Sequence, residues 1–126
     1  MRSSLNPPSV PRSPFYAQGV AVEAAGRTVY VSGQVGIGPD GVPEEGIGAQ
    51  TRRAVENVHA VLAEAGLGPD SIASQRVYLT SVESVPGFVE AAAAFVGADP
   101  PTTTMLVVAA LADPALLVEI EAVAVA

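Results

Sequence analysis

LLVEIEAVAVA, residues 116–126, is the stretch on which the fold turns. Nearly all of it is aliphatic, yet Glu119 and Glu121 stand in its middle. In an extended strand successive side chains point to opposite faces. Val118, Ile120, Ala122 and Ala124 then make one wholly apolar face, the natural seat for helices, while Leu117, Glu119, Glu121, Val123 and Val125 make the other. A strand of this kind belongs to a sheet that helices cover on one side only. The two glutamates lie roughly 7 Å apart on the second side.

Working outward, TTTMLVVAAL at 102–111 alternates in the same way and is separated from the last strand by a turn around Asp113-Pro114. If the two strands are neighbours, either the set with Thr103 and Met105 or the set with Thr102 and Thr104 shares the glutamate face, and small hydroxyls opposite carboxylates outline a small polar pocket. SVPGFVEAAAAFV at 84–96 reads as a helix opened by Ser84, and SIASQRVYLTSV at 71–82 as a strand. Between Ile47 and Ala65 the apolar residues Ala54, Val58, Val61, Leu62 and Ala65 recur at three- and four-residue spacing, which predicts a helix stopped by Gly66. FYAQGVAVEA and RTVYVSGQV read as two strands joined by a turn at residues 25–27. The GIGPDG run that follows has no G-K-S/T after it and is a turn, not a phosphate loop.

The order strand, strand, helix, strand, helix, strand, strand describes an α+β fold: a single mixed sheet with two helices on one face. Residues 1–14, with four prolines, are expected to form an extended N-terminal arm ahead of one domain at 15–126. Two helices leave the second face of the sheet uncovered, and it carries too much Val, Leu and Met to stand in water. Another subunit is expected to cover it.

Composition narrows the chemistry. Six basic against thirteen acidic residues give 6 − 13 = −7, and every cation is an arginine. Such a chain repels phosphate backbones, so no nucleic-acid partner is expected. Without lysine there is no Schiff-base catalysis, and without cysteine no disulfide, thiolate nucleophile or zinc–sulfur site. The single histidine, His59, cannot build a metal cluster, so neither a metal nor another cofactor is expected. Charges or prolines interrupt each apolar run before it reaches a membrane span, and the first residues lack a signal-peptide core. The expected location is cytoplasmic, with no membrane partner.

VYVSGQVGIGPDG, AQTRRAVENVHAVLAEAG, RVYLTSV, PPTTTMLVVAAL and LLVEIEAVAVA, in this order and at these spacings, resemble the Rid/YjgF family. These are the reactive-intermediate deaminases, once labelled L-PSP endoribonucleases. The resemblance covers about Tyr16 to the C-terminus. It implies a chorismate-mutase-like fold assembled as a barrel-cored homotrimer, with ligand sites in clefts between subunits. The activity it implies is cofactor-free hydrolysis of 2-imino acids or their enamine tautomers to 2-keto acids and ammonia.

Carried over position by position, Glu119 of the E-I-E motif matches the residue that positions the attacking water and is the candidate catalytic group. Tyr16, Ser32 and Gly33 match pocket residues. The arginine that grips the substrate carboxylate in active members is not matched: Thr103 stands in its place, two residues after the matching Pro101 and two before Met105, a further substrate-binding candidate. Val89 stands where active members often carry an asparagine. Secondary candidates are Arg12 as a replacement anchor, Tyr78 as a pocket wall, and Glu121. The function these residues imply is that of a divergent family member, binding a small molecule in inter-subunit clefts. It would act on an imine, enamine or enol-like compound by hydrolysis or tautomerisation, not as a standard 2-iminopropanoate deaminase. The alternative is a non-catalytic binding or scavenging module of the same fold, in which Glu119 and Glu121 serve only as inter-subunit contacts.

Overall fold

A computed structural model describes residues 2–24 and 26–126. The expected turn at 25–27 falls partly on Ala25, which lies outside the described residues.

The elements run β1 (Arg2–Leu5), β2 (Gly19–Val22), β3 (Thr28–Val35), α1 (Gly46–Glu64), β4 (Ile72–Leu79), α2 (Val85–Ala93), β5 (Thr102–Val107) and β6 (Val118–Val125). The main sheet has the order β3-β6-β4-β5, with β4 and β5 parallel and the other pairs antiparallel. β6 is thus an interior strand, and its burial alternates without a break. Val118, Ile120, Ala122 and Ala124 are fully buried, and with Ala54, Val58 and Leu62 of α1 and Phe88 of α2 they form the core. Burying a side chain of Val or Leu size contributes roughly 1.5–3 kcal/mol, so this row of contacts is what seats the helices on the sheet. α1 ends as its glycine suggests: Gly66 N–H donates to Ala63 O and Leu67 N–H to Leu62 O, each at 2.9 Å, the paired bonds of a Schellman cap.

Two expectations change. β5 does not neighbour β6; β4 lies between them. And β2 does not continue into the main sheet beside β3. It pairs with β1 as a separate two-stranded ribbon, which ties the chain down from Arg2 to Leu5. The chain near Ala17 follows the β5 edge, where Ala17 N–H donates to Pro101 O at 3.0 Å, and β3 occupies the opposite edge. A hairpin of β2 with β3 is excluded by that placement. No helix among the described residues is long and apolar enough to cross a membrane.

Candidate functional site

Residues directly opposite one another on neighbouring strands point to the same face of a sheet. Gln75 pairs with Thr103 and with Ala122, and Val77 pairs with Met105 and with Ile120. Ala122 and Ile120 belong to the core, so Thr103 and Met105 sit on the helix side. There a cavity of about 390 Å³ opens between β4, β5 and the two helices. Its walls are mostly apolar: Val77 and Met105 from the strands, Phe88 and Val89 from α2, with Phe15 and Tyr16 half-exposed at the rim. Among the polar groups is a bonded pair, Gln75 Nε2 donating to Thr103 Oγ1 at 3.0 Å.

Among the described residues no arginine lines this cavity. Arg12, the candidate replacement anchor, is exposed and outside it. The titratable groups on its walls other than Tyr16 are Asp70, Asp99 and His59. His59 meets Phe95 edge-to-face with centroids 5.9 Å apart, and burial holds its pKa below the ordinary imidazole value against the weaker opposing pull of Glu56. The ring is therefore neutral at pH 7 and acts as a wall. The N-terminal ribbon fastens to the same corner. Arg2 Nε donates to Asp70 O at 3.0 Å and Arg2 Nη2 to Asp99 O at 2.6 Å, while Ser4 Oγ bonds to the Asp99 carboxylate.

The opposite face holds the remaining candidates. Glu119 pairs with Tyr78, and Tyr78 with Leu106, so these three share the side away from the helices. Tyr78 is thus not a wall of the helix-side cavity. Its hydroxyl donates to the Glu121 carboxylate, and that bond, with desolvation second, raises the Tyr78 pKa above the ordinary phenol value. Arg76 Nη1 lies 3.8 Å from Glu121 Oε1. Ser32 and Gly33 fall where the β3–β6 register slips between Val31 and Gln34. Gly33 is pressed against the acid: a Cβ built there would come 2.6 Å from Glu119 Cδ. Only a glycine lets the carboxylate lie across this backbone.

Two side chains of α1 hold the strand ends that carry these groups. Gln50 is buried; its amide donates to Glu44 O at 3.0 Å and Ala115 O at 2.9 Å and accepts from Leu117 N–H at 2.8 Å, two residues before Glu119. Asn57 donates to Val35 O at 3.0 Å and Ile37 O at 2.9 Å, just past Ser32-Gly33. Gln50 and Asn57, the first and last polar positions of the Q-T-x-x-A-x-x-N helix, are therefore fasteners.

Within one chain the structure brings Tyr16, Val89, Thr103 and Met105 together on one side of the sheet, and groups Glu119, Tyr78 and Glu121 on the other beside Ser32-Gly33. It does not join the two sets. Gln75 was not singled out from the sequence, although a signal was there. In β4 the inward row includes Gln75, Val77 and Leu79, and an amide in such a row is out of place unless it has a polar task.

A family model described as Endoribonuclease L-PSP matches residues 10–126. YyfB of Yersinia pestis, a protein of unknown function from the Rid family, superposes at a TM-score of 0.87 with 33% identity, over 99% of this chain and 98% of that one. The chain belongs to the Rid/YjgF family. Among other Rid/YjgF relatives, a RutC family protein of Saccharolobus solfataricus is 34% identical over 111 residues, 86% of this chain and 85% of that protein. The structure of E. coli TdcF with bound serine matches at a TM-score of 0.75 and 32% identity, covering 88% of this chain and 87% of TdcF. The range matched by the family model begins after β1, whereas the YyfB superposition covers 99% of the chain.

Proposed function

We propose that this protein binds a small molecule at sites shared between subunits and hydrolyses a neutral imine or enamine there, with Glu119 as the acid/base group. The observation that carries the proposal is the division of the candidate residues between the two faces of the sheet. Tyr16, Val89, Thr103 and Met105 form one half of a site and Ser32, Gly33 and Glu119 the other. A second copy of the chain supplies what the first lacks. A cyclic homotrimer that covers the face bearing Tyr30, which is 79% exposed, and Leu106 joins the halves. Serine bound in TdcF supports a small polar ligand for this fold, and the net charge of −7 weighs against RNA.

In the proposed reaction Glu119 takes a proton from water as the water oxygen bonds to the imine carbon. The C=N electron pair moves to nitrogen, which is protonated. The resulting carbinolamine re-forms C=O as the C–N bond breaks and ammonia leaves. No cofactor enters. Thr103 donates one neutral hydrogen bond and cannot neutralise a carboxylate. A charge-assisted bond contributes roughly 1.5–3 kcal/mol, so its absence weakens 2-imino acids about ten- to a hundredfold.

The test is hydrolysis of 2-iminopropanoate, generated in situ by an amino-acid oxidase and followed by semicarbazide trapping. The wild type is expected to be slow and Thr103→Arg faster by about ten- to a hundredfold. A fast wild type would show that another group holds the carboxylate. In the Thr103→Arg background, an added Glu119→Gln is expected to abolish the gain; an unchanged rate would remove Glu119 from the chemistry.

A further inference from the structure

We infer that the helix-side cavity selects an uncharged ligand ending in a carboxamide or lactam edge, and that Gln75 with Thr103 is the pair that reads it. The inference rests on the reading of this cavity as one half of the ligand site.

The bond from Gln75 Nε2 to Thr103 Oγ1 fixes both side chains and sets their remaining capacity. Gln75 Oε1 is left as an acceptor and the Thr103 hydroxyl hydrogen as a donor, beside the second N–H of the Gln75 amide. Neither has a partner among the described residues. An acceptor beside a donor, both on the cavity wall, is the complement of an amide edge: the ligand N–H goes to Gln75 and the ligand C=O takes the Thr103 hydrogen. A carboxylate fits this pair badly. It offers acceptors only, so it leaves the Gln75 oxygen without the hydrogen that an amide N–H would bring. It would also enter a cavity whose charged walls are Asp70 and Asp99 and which no arginine lines. Behind the polar pair stand Phe88, Val89, Met105 and Phe95, with the neutral His59. These suit a ring or short apolar chain, and about 390 Å³ exceeds what the amide group alone would fill.

Three probes that share a benzyl group separate the possibilities: phenylacetamide, phenylacetate and ethylbenzene, titrated into the full-length protein by calorimetry at pH 7. Phenylacetamide is expected to bind at least about tenfold more tightly than either of the others. Gln75→Leu is expected to remove the advantage of the amide over ethylbenzene. Thr103→Val, which keeps the shape and lacks the hydroxyl, gives the same loss should the first variant fail to fold. If ethylbenzene binds as tightly as the amide, or the variants keep the amide preference, the cavity is a ligand site but the pair selects nothing, and the inference falls alone. Tighter phenylacetate binding also overturns it. If none of the three binds, the inference and the reading of the cavity fall together.

Discussion

At Gly33 a missing side chain decides where an acid lies. The Glu119 carboxylate occupies the space a Cβ would take, with its Cδ 2.6 Å from that point. Gly33→Ala therefore pushes the carboxylate aside. What must move is the far end of a flexible side chain, so stability is expected to change by less than about 0.5 kcal/mol. Turnover is another matter, because a displacement of about 1 Å at a reacting group costs about a hundredfold. Measured in the Thr103→Arg background, the 2-iminopropanoate rate should fall steeply while the melting temperature holds. Much at this scale was legible beforehand. Glu119 stood out because a carboxylate interrupts an aliphatic strand, and Thr103 because a threonine replaces an expected arginine. What alternation could not give was which strands are neighbours. It fixes which residues of one strand share a face, and only the order β3-β6-β4-β5 shows that Thr103 and Glu119 do not.

Elements were legible where side chains impose a period. β6 and α1 came out within a residue or two because their apolar rows face one core. The ribbon of β1 and β2 was not, because it is held by backbone pairing and by Arg2 reaching carbonyls 68 and 97 residues away. Neither leaves a periodic trace. The helix motif around Gln50 shows the same gap. The residues are visible in the sequence, but their task depends on a loop 65 residues on. Gln50→Ala strips partners from two carbonyls and one N–H in a buried place. The expected loss is about 2–4 kcal/mol, read as a lower denaturant midpoint with an unchanged slope. Because Leu117 N–H is one of the orphans, the start of β6 should also exchange its amide hydrogens faster.

For the whole molecule the proposed sharing of the site between subunits has a consequence in heredity. A chain that gives one half of its residues to each of two neighbours can be rescued by a partner with a different defect. Take Thr103→Arg/Glu119→Gln in one gene and the wild type in another. Alone, the first lacks the acid and the second lacks the anchor, so neither should hydrolyse 2-iminopropanoate well. Coexpressed and mixed at random around a closed ring, about a quarter of the sites receive the introduced arginine from one chain and Glu119 from the other. The mixture is then expected to show about a quarter of the rate of the Thr103→Arg protein. A site built within one chain would show no such gain. Complementation between alleles thus reads the quaternary arrangement directly, and it follows from the side of the sheet to which each residue points.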